Sequence, residues 1–166
     1  MYKRQLEPYD WQGFLEKRLT SKSPHAPLDG ITNGGYKLEY TDKANEFAHA
    51  LEARDKGVNA WYSLGFVTAD ETVKDVLLDS PAYKAGLGPG MKLIAINGRR
   101  ATEELLHSAI RDAKTATEPI ELIVENAGFF KIVKIDYHEG EKYPHLVRQA
   151  NTPGLLDEIL KPMVGR

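Results

Sequence analysis

Apolar residues recur along this chain first at helical spacing and later in alternation. Trp11, Phe14, Leu15 and Leu19 fall on one helical face behind Asp10, a residue able to cap, so residues 1–20 read as helical. Gly13 inside that segment costs roughly 1 kcal/mol against alanine, so this helix needs packing to persist. Ser21 to Pro27 reads as a loop, and Asn33-Gly34-Gly35 as a turn. Tyr36, Leu38 and Tyr40 alternate with polar residues and predict a short strand. Thr41-Asp42 starts a second helix with Ala44, Phe47, Ala48 and Leu51 on one face, and Gly57 stops it. From Val58 the pattern turns to strands, first Val58 to Thr68, then Val73 to Leu78.

The next segment carries the densest signals. Ser80 is a good N-cap with Pro81 at the first helical position, and Gly86 ends that helix about two turns later. Pro89-Gly90 turns the chain into an apolar strand, Met91 to Ile96, and Asn97-Gly98 favours a tight type I′ turn. Thr102 caps a helix reaching about Ala113, with Leu105, Leu106, Ala109 and Ile110 as its apolar face. Ile120, Leu122 and Val124 alternate, as do Val133, Ile135 and Tyr137, with Asn126-Ala127-Gly128 joining the two runs as a hairpin. Beyond Tyr137 the order weakens. Thr152-Pro153 opens a last short helix, Leu155 to Leu160, which Pro162 closes.

Composition removes several classes of function. At 166 residues and 42% hydrophobic, the chain can build a real core. A net charge of −2 without long like-charge blocks argues against nucleic acid as a partner. There is no cysteine for a disulfide or thiolate, and no apolar run approaches the ~20 residues that span a bilayer. Met1-Tyr2-Lys3-Arg4-Gln5 leads into no apolar segment and reads as no signal peptide. The histidines are His25, His49, His107, His138 and His145, and none pairs with another at i+4 as H-E-x-x-H requires. G-x-S-x-G is absent as well. No catalytic residue and no metal ligand is assigned, and the compartment is left open.

Residues 61 to 137 read strand, strand, short helix, strand, long helix, strand, strand. That order, with Ser63-Leu64-Gly65-Phe66 ahead of Pro81-Ala82 and Ala85-Gly86-Leu87, resembles a PDZ domain. The implied fold class is α+β: five to six mostly antiparallel strands in a partly open barrel, capped by one short and one long helix and preceded by a helical and extended arm. In that family the Gly-Leu-Gly-Phe loop holds a peptide's terminal carboxylate on successive backbone N–H groups, an anion nest. The strand after the loop takes the peptide as an added strand. The resemblance therefore implies a peptide groove between Ser63, Leu64, Gly65, Phe66 and Val67 on one wall and the Glu103–Ala113 helix on the other. Glu103, His107 and Ile110 fall on the groove side of that helix by helical spacing. Many PDZ domains carry histidine where Glu103 falls; the departure to an acidic residue implies a basic or hydroxyl side chain at that peptide position in preference to an acidic one.

The flanks resemble a second pattern. Pro8-Tyr9-Asp10-Trp11, Ala26-Pro27-Leu28-Asp29-Gly30-Ile31, Gly34-Gly35-Tyr36, Tyr62-Ser63-Leu64-Gly65-Phe66 and Tyr143-Pro144-His145-Leu146 look like the C-terminal part of the glycyl aminopeptidase family, zinc metallopeptidases that carry a PDZ domain. The resemblance implies that residues 1–57 are the tail of a catalytic region, 58–138 the PDZ domain, and 139–166 a closing extension, with Arg166 near the natural terminus. Zinc is then expected in the absent catalytic domain and not in this chain. The implied partners are peptides or protein C-termini and the missing peptidase domain. A homodimer through the N-terminal arm is expected where Trp11, Phe14 and Leu15 are left uncovered. Three roles stay open: a module that binds C-termini; a structural or regulatory domain of the peptidase whose groove is unused; and, ranked last because the sequence shows no nucleophile, metal cluster or phosphate loop, a complete enzyme. An aminopeptidase attacks N-termini, which gives the second role weight.

Overall fold

The computed structural model describes residues 9–23 and 26–162, so the readings that fall on residues 1–8, on His25 and on Val164-Gly165-Arg166 lie outside them. The chain divides into two compact units, residues 38–147, and residues 1–37 with 148–166.

The larger unit is a PDZ-like α+β fold. After α3 (Glu46–Asp55) come β2 (Phe66–Ala69), β3 (Thr72–Val76), α4 (Pro81–Lys84), β4 (Lys92–Ile96), β5 (Arg99–Arg100), α5 (Glu103–Asp112), β6 (Ile120–Asn126) and β7 (Phe129–Ile135). The strands lie in the order β2-β3-β4-β6-β7, with β5 beside β4, and every pairing is antiparallel. The sheet is not closed, and one short and one long helix cover it, as the sequence predicts. Leu64, Phe66, Ile96, Leu106, Ile110, Leu122 and Ile135 form the core, each at most 1% exposed. Helix α5 enters that core through Leu106, Ala109 and Ile110 because its apolar residues share one face.

The local signals act where the sequence places them. Ser80 caps α4 by accepting the Tyr83 N–H at 3.1 Å, and Thr102 caps α5 by accepting the Leu105 N–H at 3.1 Å. Asn97 and Gly98 both have positive φ, 47° and 75°, as a type I′ turn demands.

Three local expectations change. Helix α3 begins at Glu46, because Asn45 and not Asp42 is the cap: its side chain accepts the Ala48 N–H at 2.8 Å. That helix ends on Lys56 in the left-handed conformation (φ 47°), one residue before Gly57. The apolar run from Val58 to Thr68 is not one strand. It doubles back at residues 61–65, so that residues 56–60 lie antiparallel to β2.

The smaller unit holds α1 (Trp11–Thr20), α2 (Asp29–Asn33) and α6 (Leu155–Leu160). Arg18 donates to both carboxylate oxygens of Asp29 at 2.7 and 2.8 Å, which holds that carboxyl below its ordinary range. Asp157 accepts from the Tyr36 hydroxyl and from Arg148, and the Arg148 guanidinium lies 5.8 Å from the centre of the Tyr36 ring. Gly35 (φ 88°) passes Pro153 so closely that a Cβ would stand 2.4 Å from the Pro153 carbonyl oxygen. Strands β1 (Tyr36–Thr41) and β8 (Tyr143–Arg148) form a two-stranded sheet, and β8 has no counterpart in the predicted elements.

Candidate functional site

The loop that the sequence marks as a carboxylate nest is shaped by one residue. Gly65 takes φ 85°, and a Cβ there would lie 2.1 Å from the Ser80 Cβ, so no other side chain fits without movement. Ser80 anchors the loop from behind, donating its hydroxyl to the Gly65 carbonyl at 3.4 Å. Leu77 N–H donates to that same carbonyl at 2.8 Å, and Ala82 N–H to the Leu64 carbonyl at 3.0 Å. Leu64 and Phe66 are fully buried, so their side chains serve the core and only their backbone can meet a ligand.

The nest faces the chain's own backbone. Ser63 N–H and Gly65 N–H both donate to the Ala60 carbonyl, at 3.2 and 2.9 Å, and the Ser63 hydroxyl adds a bond of 3.3 Å to the same oxygen. Further along, Thr68 N–H donates to the Val58 carbonyl and Asp70 N–H to the Lys56 carbonyl, each at 3.0 Å. Val58 N–H returns a bond of 2.9 Å to the Thr68 hydroxyl, and Asn59 bridges Val67 in antiparallel register. Strand β2 therefore has β3 on one edge and residues 56–60 on the other. This self-strand runs toward the nest, the direction an added peptide takes when its terminus lies in the loop. Val58 and Ala60, each 2% exposed, sink into the core. Gly57 permits the approach, since a Cβ there would lie 2.1 Å from the Thr68 carbonyl oxygen.

The residues foreseen on α5 have different surroundings. Ile110 is buried in the core. Glu103 is exposed at the start of the helix and lines a cavity of about 700 Å³ with Lys56, Gly57, Val58 and Thr68. His107 is engaged on both ring nitrogens. Its Nδ1 lies 2.6 Å from Glu141 Oε1, and its Nε2 lies 3.5 Å from Glu52 Oε1 on α3. Glu52 also accepts the Asn59 N–H at 2.9 Å, which ties α3, the self-strand and α5 together. Glu141 is buried, with Arg111 at 3.3 Å and the Tyr143 hydroxyl at 3.4 Å.

These contacts set the charge states. The hydrogen bond to Glu141 raises His107 above its ordinary 6.5, burial opposes this, and the charge of Glu52 adds to the rise. Burial pushes Glu141 up, but His107 and Arg111 together hold it below its ordinary 4.5. Burial raises the Tyr143 phenol, with the neighbouring carboxylates adding to the shift.

Sequence reasoning missed Glu52, Glu141 and the pairing of residues 56–60 with β2. One signal for the pairing was present. Gly57 lies beyond the helix stop, where a glycine needed for close approach looks the same as a helix terminator. Glu52 and Glu141 carry no signal, because each looks like an ordinary solvated charge. Among the described residues no group of three or more His, Cys, Asp or Glu side chains is placed to hold a metal ion.

Fold and groove together define a PDZ-like module. No family model matches the chain, and no curated protein matches it. Among solved structures, an aminopeptidase N family protein from Idiomarina loihiensis is similar at a TM-score of 0.55 and 20% identity, over 95% of this chain and 27% of its own. The chain thus spans about a quarter of that protein's length, and the likeness is one of fold. The HtrA3 PDZ domain, solved with the phage-derived ligand FGRWV, aligns at a TM-score of 0.33 and 15% identity, over 68% of this chain and 93% of its own.

Proposed function

We propose that the PDZ-like unit is a structural domain of a larger aminopeptidase-type protein, with its peptide groove closed by its own chain. The observation that carries this reading is the engagement of both edges of β2: β3 pairs with one, and residues 56–60 with the other. An incoming peptide would have to displace three backbone-anchored hydrogen bonds and the buried Val58 and Ala60 before it gained any of its own. The nest is also engaged, because the Ala60 carbonyl takes the Ser63 and Gly65 N–H groups that a carboxylate would need. The larger protein is then a zinc metallopeptidase, as the flanking motifs imply, and this part supplies scaffold and no catalytic group.

The competing role, capture of free C-termini by Ser63, Leu64, Gly65, Phe66, Val67, Glu103, His107 and Ile110, needs that edge vacant. The test is a titration of labelled chain with pooled peptides bearing free C-terminal carboxylates, and with the same peptides amidated. Unchanged amide shifts at Leu64, Gly65 and Phe66 with both sets support a closed groove. Shifts confined to the free carboxylates overturn it.

A further inference from the structure

Closure of the groove includes a charged fastening. Helix α3 and the self-strand meet α5 through Glu52, which accepts the Asn59 N–H at 2.9 Å and faces His107 Nε2 at 3.5 Å. Glu141 grips the other ring nitrogen at 2.6 Å and is itself held by Arg111 and Tyr143. The Glu52 and His107 side chains are 12% and 20% exposed, so water screens this contact far less than it would a surface pair. The backbone bonds beneath it would form in any register-matched strand. The Glu52–His107 contact depends on the charge of both partners.

We propose that Glu52, His107 and Glu141 form an autoinhibitory clasp that locks residues 56–60 onto β2, and that losing its charge uncovers a latent strand-addition edge for an extended peptide. This rests on the closed-groove reading. The groups facing His107 are Glu52 from α3, Glu141 from the segment before β8, and Arg111 from its own helix. The two carboxylates favour the imidazolium and Arg111 opposes it. Lifting α3 and the self-strand removes Glu52 from the ring, so opening lowers the proton affinity of His107. The closed form is therefore favoured while His107 is protonated, and the lock weakens as pH rises through the raised value.

Glu52→Gln separates the two contacts of this residue. The amide oxygen can still accept the Asn59 N–H, while the charge facing His107 is gone. The experiment is amide hydrogen exchange on the full chain. Thr68 and Asp70 report the self-strand, because they donate to Val58 and Lys56, and the β6–β7 amides report the intact core. In the variant, Thr68 and Asp70 exchange roughly three- to tenfold faster, with β6–β7 unchanged. In the unaltered chain, protection at those two amides falls as pH rises above the His107 value, which needs no substitution at all. Unchanged protection in the variant, or a flat pH profile in the unaltered chain, overturns the clasp and leaves the closed groove standing. Peptide shifts in the unaltered chain would instead overturn the closed groove itself.

Discussion

Gly57→Ala puts the closed groove under direct stress. The new methyl would lie 2.1 Å from the Thr68 carbonyl oxygen, 2.5 Å from its carbon and 2.9 Å from the Ala69 Cα. All three atoms are backbone, so no rotamer change can relieve the contact. Two responses are open to the chain. Overpacking with the strand held in place costs about 1–3 kcal/mol. Lifting the strand removes the bonds from Thr68 N–H to Val58, Asp70 N–H to Lys56 and Val58 N–H to the Thr68 hydroxyl, at about 1 kcal/mol net each. It also exposes the Val58 side chain, at about 1.5–3 kcal/mol. Full lifting is the dearer route, so the strand shifts without leaving and stability falls by about 2 kcal/mol. At a urea m-value of about 2 kcal/mol/M the midpoint drops by about 1 M. Amide exchange should show the loss concentrated at Thr68 and Asp70. A midpoint and an exchange pattern equal to those of the unaltered chain would refute the close approach of residues 56–60 to β2.

Gly65→Ala should lower stability by about 3 kcal/mol by thermal unfolding, the sum of about 1–2 for a left-handed alanine and about 1–3 for its overlap with Ser80; a change within about 0.5 kcal/mol would argue against the loop geometry. For pH, His107 is raised, so its contribution is complete below its ordinary 6.5 and is lost as pH rises through its folded value. Glu141 is lowered, so its contribution is complete above its ordinary 4.5 and is lost as pH falls through its folded value. Denaturant midpoints should therefore be highest between these limits. Because half-buried His138, raised chiefly by its bond to the Ala113 carbonyl, adds in the same direction as His107, the comparison is with Glu141→Gln, which should flatten both limbs. Limbs that survive Glu141→Gln unchanged would assign the pH dependence elsewhere.

Much of this fold is legible in the sequence because its signals are local. Ser80-Pro81, Asn97-Gly98 and Thr102 each act through bonds within a few residues, and each sits where the pattern places it. The alternation of Ile120, Leu122 and Val124 survives because it faces a core formed by the same sheet. Strand β8 was hidden by Pro144 and by the charges around it, and it forms through pairing with β1, which is remote in sequence. The state of the groove was illegible for a similar reason. Val58 and Ala60 alternate with the polar Asn59 whether they continue into β2 or fold back on it. The reversal depends on Gly65 and on the Ala60 carbonyl taking two N–H groups, and the Glu52–His107 contact beside it joins residues 55 positions apart. Gly57 reads as a helix stop although Lys56 ends α3, because a sequence does not distinguish a glycine chosen for φ from one chosen for space.

The central claim is that the chain's own strand occupies the β2 edge. The most direct measurement is of scalar couplings across backbone hydrogen bonds in labelled chain. The account predicts cross-bond correlations from Thr68 N to the Val58 carbonyl, from Asp70 N to the Lys56 carbonyl and from Gly65 N to the Ala60 carbonyl. Their absence, in a sample where couplings across β6–β7 are plainly seen, would contradict it and leave the groove open for a peptide.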